Sequence, residues 1–150
     1  MPTRPVLGPS ERAFLATARR GTLATIAPDG TPRLVPVCFV LDPVHGVIHS
    51  PLDEKPKTTD DPYALARVRD LLARPTVSLL VDRWDEDWRR LGWVRCVGHA
   101  GLVEPVDPAH EAAVRALRDK YPPYLAQRID ERPLIRIELD RVSSWGDLGS

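Results

Sequence analysis

Lysine is almost absent from this chain. Among 21 basic residues only Lys55, Lys57 and Lys120 are lysines, and all the others are arginine. Net charge is absent too, because 21 acidic residues balance the 21 basic ones. That balance removes the broad electrostatic footprint expected of a nucleic-acid or anionic-membrane binder. No apolar run approaches the roughly 20 residues of a membrane span. The opening MPTRPVLGPSERAF carries charge but no apolar core of a secretory signal. A cytoplasmic protein is therefore expected. Cysteine is limited to Cys38 and Cys96, each within an apolar strand-like run, which reads as two buried free thiols rather than a disulfide.

Several chemistries are missing as well. No serine lies in a G-x-S-x-G turn, and neither cysteine has a histidine partner in sequence. His45, His49, His99 and His110 show no H-x-x-x-H spacing, and there is no C-x-x-C, so no metal site is expected. Neither a dinucleotide-binding glycine fingerprint nor a phosphate-binding Walker loop occurs.

What is present fits one domain over residues 1–150, with residues 1–8 as an extended arm in which Pro2 and Pro5 oppose regular pairing. Ser10 can cap a helix running to Arg20, with Phe14, Leu15 and Ala18 inward and Gly21 as its stop. A strand over TLATIA and the turn Pro28-Asp29-Gly30-Thr31 form a hairpin with a return strand from Arg33 to Leu41. Pro36 interrupts that strand and marks an edge, a bulge or a turn of the backbone toward something else.

A second turn, Pro43-Val44-His45-Gly46, leads to a strand at Val47–Ser50. Asp60 or Asp61 can cap a helix opened by Pro62 and carrying Leu65, Val68 and Leu72 at helical spacing, with Pro75 ending it. Thr76–Val81 reads as a fully buried strand. Trp93–Val103 reads as a long strand bent at Gly98 and Gly101. Asp107 and Pro108 start a helix to about Tyr121, and Leu134–Leu139 alternates as a final strand continuing to Val142. Short turns between strands predict an antiparallel sheet closed into a barrel with helices outside.

The stretch from His49 to Trp84 holds two of the three lysines. Lys55 and Lys57 flank Pro56, so an extended backbone sends both ammonium groups to one side, and the proline limits the entropy lost in fixing them around an anion. Such a loop can hold a phosphate or can be a solvated turn. Arg67 and Arg69 follow on the helix, about 200° apart around it, so at most one faces the loop. Three of the four tryptophans fall between Trp84 and Trp93. They can line a pocket for a flat ring or cap one end of a barrel core. Arg95 has the parity of Trp93 and would stand at that pocket's edge.

The segments GTLATIAPDGTPRLVPVCFVLD, KPK, PTVSLLVD and DEDWRRLGWVRCVGHA together resemble the flavin/deazaflavin oxidoreductases. More narrowly, they resemble the branch of the pyridoxamine 5′-phosphate oxidase-like superfamily that uses the deazaflavin coenzyme F420. The likeness runs from about Phe14 to Trp145. It implies an α+β fold, a six-stranded antiparallel split β-barrel with flanking helices, paired as a homodimer with cofactor sites at the subunit interface.

It also implies roles for particular residues. Lys55 and Lys57 would hold the cofactor phosphate, backbone groups of Pro36, Val37 and Cys38 would contact the ring, and His49 and Ser50 would lie along the phosphate or ribityl chain. Arg69 is a further cofactor candidate. Trp88, Trp93 and Arg95 would border a small-molecule substrate, with Arg95 or a water as proton donor. An Arg-x-x-x-Leu-Lys pattern typical of FMN sites is not evident, which favours F420 over FMN. An F420-dependent reductase, an FMN-dependent oxidase or reductase, and a non-catalytic F420-binding protein are the three readings that follow.

Overall fold

The computed structural model describes residues 7–52 and 61–149. Three helices, α1 (Pro9–Thr17), α2 (Ala66–Ala73) and α3 (Pro108–Lys120), accompany seven strands. These are β1 (Gly21–Ile26), β2 (Pro32–Val37), β3 (Val40–Asp42), β4 (Val47–Pro51), β5 (Thr76–Arg83), β6 (Gly92–Val103) and β7 (Leu134–Gly146). Every strand pair is antiparallel, in the order β2-β1-β5-β6-β7-β4-β3. The two ends of that order, β2 and β3, are consecutive in the chain, with only Cys38 and Phe39 between them. Two residues cannot span an open seven-stranded sheet, so the sheet must curl until its ends meet. The result is a barrel split at the β2–β3 seam.

The expected six strands become seven because the single return strand over Arg33–Leu41 is cut at this seam. Pro36 lies on β2, an edge strand, where a residue without an N–H is tolerated. Both predicted turns form. Gly30 and Gly46 adopt φ of +87° and +65°, which a side chain would resist. Asp29 and Asp42 side chains accept from the turn amides of Thr31 and Val44.

The barrel interior follows period-2 alternation. Leu23, Val37, Phe39, Ile48, Val77, Leu79, Val81, Val94, Cys96, Ile135, Ile137 and Leu139 point inward, and Phe14 and Leu15 of α1 and Val68 and Leu71 of α2 join the same core. Burial lifts the Cys96 thiol to about pKa 12, so it is an inert packing group. A smaller cluster forms where α3 lies on the outside of the barrel, joining Ala113, Val114, Leu117 and Tyr121 to Tyr124, Ile129 and Leu134.

Several local expectations are corrected. The first helix starts at Pro9, with Gly8 at its cap and the Glu11 carboxylate accepting the Gly8 N–H at 2.9 Å, so Ser10 is not the cap. It ends at Thr17, because Ala18 is already extended. Asp61 caps a single 3-10 turn at Pro62–Ala64, and α2 begins only at Ala66. Within α2 the buried positions are Val68, Asp70 and Leu71, while Leu72 is exposed. β5 is buried on one face only, since the barrel wall has one inside, and Leu80 stands outside. Of the two glycines in β6, Gly98 makes the bulge, at the register shift between Val97 and Gly98. Gly101 has open space around it and pairs regularly with Arg136.

Candidate functional site

Strand registers align side chains on the outer wall into rows. Pro36 pairs with Thr22, Thr22 with Leu80, Leu80 with Arg95, and Arg95 with Ser143. A parallel row runs Leu34, Ala24, Ser78, Val97, Arg141, and a third runs Asp82, Trp93, Trp145. These rows share the outward parity of their strands. Leu34, Leu80 and Trp145 are exposed at 66%, 40% and 54%. Five strands thus present a mixed outer face, in which Leu34, Pro36, Leu80, Trp93, Val97 and Trp145 stand among Thr22, Ser78, Asp82, Arg95, Arg141 and Ser143. With strands about 4.8 Å apart, Pro36 and Arg95 stand roughly 14 Å from each other on it, the scale of a tricyclic ring and its edge contacts.

The guanidinium of Arg95 lies over the Trp93 ring, 5.0 Å from its centroid. Trp84 and Trp88, on the connection between β5 and β6, are not a barrel cap. They stand in solvent at 66% and 71% exposure, while Phe14 of α1 and Leu148 pack against the barrel core. Only Trp93 of the three is half-buried.

The other sequence-predicted residues separate. Lys55 and Lys57 lie outside the described residues. Arg69 is exposed on α2. Val37 points into the core, whereas Cys38 is half-buried at the seam. Ser50 donates its hydroxyl to the Cys38 carbonyl at 2.7 Å, tying β4 to the seam. His49 is one position earlier on β4 and therefore faces the opposite way. It lines a cavity of about 470 Å³ beneath α3, with Val40, Leu41, Val47, an alanine wall from the helix, and Arg136.

Burial is the main cause that lowers the His49 pKa to about 4, with the Arg136 charge adding to it. His49 is 6% exposed, and its Nε2 is enclosed without a hydrogen-bond partner among the described residues. Arg136, directly opposite on β7, reaches Glu138 at 3.2 Å. At the rim, Asp42 accepts from His45 Nδ1 at 2.8 Å.

Three residues that sequence reasoning missed organise this region. Tyr121 accepts the Phe39 N–H at 3.2 Å, and its proton lies between the Arg19 and Phe39 carbonyls at 3.0 and 3.1 Å, so it fixes the two-residue seam to the end of α3. Asp70 holds Thr25 and Arg33, and Arg136 shares the cavity with His49. No sequence spacing signals any of them, because each partner lies on a distant strand. His110 is structural: buried, its Nε2 donates to the Arg132 carbonyl at 2.6 Å. Among the described residues, no three His, Cys, Asp or Glu side chains converge as a metal would need, and no helix is long and apolar enough to cross a membrane.

An antiparallel barrel opened at one seam, with helices packed around it, is the architecture of the split-barrel oxidoreductases. The chain belongs to the pyridoxamine 5′-phosphate oxidase family, whose sequence pattern matches residues 7–146. Among solved structures, it is similar to a conserved hypothetical protein from Mycobacterium tuberculosis, at 26% identity and a TM-score of 0.72 over 97% of this chain and 89% of that one. It is also similar to an F420 reductase, at 21% identity and a TM-score of 0.64 over 95% and 98% of the two chains. The heme storage protein HutZ from Vibrio cholerae shares the fold at 14% identity, with a TM-score of 0.71 over 94% of each chain. No curated protein sequence matches.

Proposed function

We propose that this chain is an F420-dependent oxidoreductase that works as a homodimer, with its cofactor in the seam between two outer barrel walls. The observation that carries the reading is the row from Pro36 to Arg95, which joins a backbone edge suited to a flat ring with a cation at the far side. The exposed Leu34, Leu80 and Trp145 on this wall support pairing with a second copy, which would cover them. The likeness to an F420 reductase supports the choice of cofactor.

The described residues suit the ring end of such a group, by the apolar side chains Leu34, Leu80 and Trp93 on the wall and an exposed edge strand. Its phosphate end is assigned to Lys55 and Lys57, with Arg69 nearby in sequence and Ser50 and Cys38 shaping the seam. Reduced F420 supplies a hydride to an electron-poor acceptor. The chain's part is alignment and exclusion of water. Trp93 offers a flat face to the acceptor, with Trp88 at its margin. Arg95 holds the charge that develops on it; a guanidinium does not release its proton, so the proton comes from water.

Titration of the purified protein with F420, FMN and heme, with sedimentation of each mixture, tests this reading. Tight F420 binding by a dimer, followed by oxidation of reduced F420 when conjugated acceptors are added, is the expected result. Tight FMN or heme binding with no F420 binding would overturn the cofactor, and a monomer at micromolar concentration would overturn the shared site. F420 binding without turnover of any acceptor would make the protein a carrier.

A further inference from the structure

We propose that the cavity beneath α3 is a second ligand site, separate from the outer-wall face, and that it takes a small monocarboxylate with a compact apolar body. Its size, about 470 Å³, is within the range of small-molecule sites. Ala109, Ala112, Ala113 and Ala116 form one wall, so the helix face that closes the cavity carries methyl groups where larger residues would have filled it. Val40, Leu41 and Val47 form the other.

The polar groups are few and unbalanced. Asp42 is already committed, accepting from the amides of Val44 and His45 and from the His45 ring. Arg136 spends one N–H on Glu138 and has further donors in its fork. His49 lies directly across from it, 6% exposed, with a ring nitrogen that has no partner among the described residues. Directly opposed residues in an antiparallel pair are about 5 Å apart at Cβ, close enough for one carboxylate to reach both. With the Asp42 carboxylate engaged by three donors and Arg136 keeping N–H groups unspent, an acceptor carrying negative charge complements the cavity, and the Nε2–H tautomer of His49 supplies a second donor. A neutral His49 donates through Nε2 once its ring turns toward the occupant.

A buried polar nitrogen without a partner costs stability, which a hydrogen-bonding occupant would recover. The cavity lies under α3 on β3, β4 and the Arg136 end of β7, whereas the face proposed for F420 lies on β2, β1, β5, β6 and the Arg141–Trp145 end of β7, so this cavity does not extend that face.

Benzoate and hexanoate serve as probes of the full-length protein, with benzyl alcohol and hexanol as uncharged counterparts. Calorimetry is expected to show benzoate binding at least tenfold tighter than benzyl alcohol, and NMR to show the His49 ring resonances moving on addition. Ala116→Leu, which fills the cavity from a helix position where leucine is well tolerated, should abolish benzoate binding while leaving F420 binding unchanged. Arg136→Gln should weaken benzoate at least tenfold. Equal binding of acid and alcohol, unmoved His49 resonances at millimolar benzoate, or benzoate binding that survives Ala116→Leu would each overturn the proposal. Displacement of benzoate by F420 would overturn the separateness of the site; failure of F420 to bind at all would not touch it.

Discussion

Asp70 on α2 and Arg33 on β2, 37 positions apart in sequence, form an ion pair with N and O 2.7 Å apart, and the same carboxylate oxygen accepts from Thr25 of β1 at 2.8 Å. One side chain thereby clamps the first hairpin to the helix that closes its end of the barrel. Asp70 is almost fully buried, while Arg33 is 42% exposed on its side chain, so solvent screens part of the attraction. Burial pushes the Asp70 carboxyl up, and the bonds from Arg33 and Thr25 outweigh it, leaving the pKa below its usual value.

Asp70→Asn should cost about 2 kcal/mol, the scale of a hydrogen bond to a charged partner. The sign with pH follows from the lowered folded pKa. The contribution is complete above the ordinary carboxyl value of 3.8 and is lost as pH falls from there through the folded value. Urea unfolding at pH 7 and at pH 3 checks this, and the difference between wild type and variant should shrink at the lower pH.

His49 carries the opposite charge logic. Its folded pKa of about 4 lies below the ordinary 6.5, so the unfolded chain takes up a proton that the folded chain refuses. Stability should fall between pH 6.5 and pH 4 by up to roughly 3 kcal/mol, at 1.36 kcal/mol per pKa unit. His49→Leu should remove this slope and match or exceed the wild type at pH 5. Thermal melts across that range decide it; an unchanged slope in the variant would assign the effect elsewhere.

Gly98 sits at the β6 bulge, where an added Cβ would land on the Glu138 carbonyl oxygen, closer than real contacts allow. Gly98→Ala should destabilise by about 2 kcal/mol, because the clash is with backbone that cannot swing aside. Gly101→Ala, with open space around it, should be close to neutral. Denaturation midpoints of the two variants make the comparison.

Lys55→Ala combined with Lys57→Ala should weaken F420 binding at least tenfold, since two charge-assisted contacts of about 1.5–3 kcal/mol each are removed. Fluorescence titration of the double variant, with circular dichroism to show that it folds, provides the measurement. An unaltered dissociation constant would take the phosphate role away from this pair.

Much of the architecture was legible before any coordinates. Pro28–Thr31 and Pro43–Gly46 are turns because Gly30 and Gly46 take positive φ, and aspartates just before them accept the turn amides. Asp107 and Pro108 start α3 for the capping reason their chemistry implies: the Asp107 carboxylate accepts the Ala109 N–H at 2.9 Å. These are local interactions, and a local interaction is written in neighbouring residues.

Period-2 alternation separates the two faces of a strand but does not say what covers either one. For that reason Leu80 and Trp84, apolar by type, end up outside, and the cut at Cys38–Phe39 could not be foreseen from a run that stays apolar on both sides of it. The pairs Arg33–Asp70, His49–Arg136 and Tyr121–Phe39 bring together residues 37, 87 and 82 positions apart. The sequence by itself determined most of the strands, the turns and the family likeness, because these depend on neighbours and on alternation. Only closure of the barrel decided which polar groups meet and where a cavity remains, because those depend on strand register summed around the whole sheet.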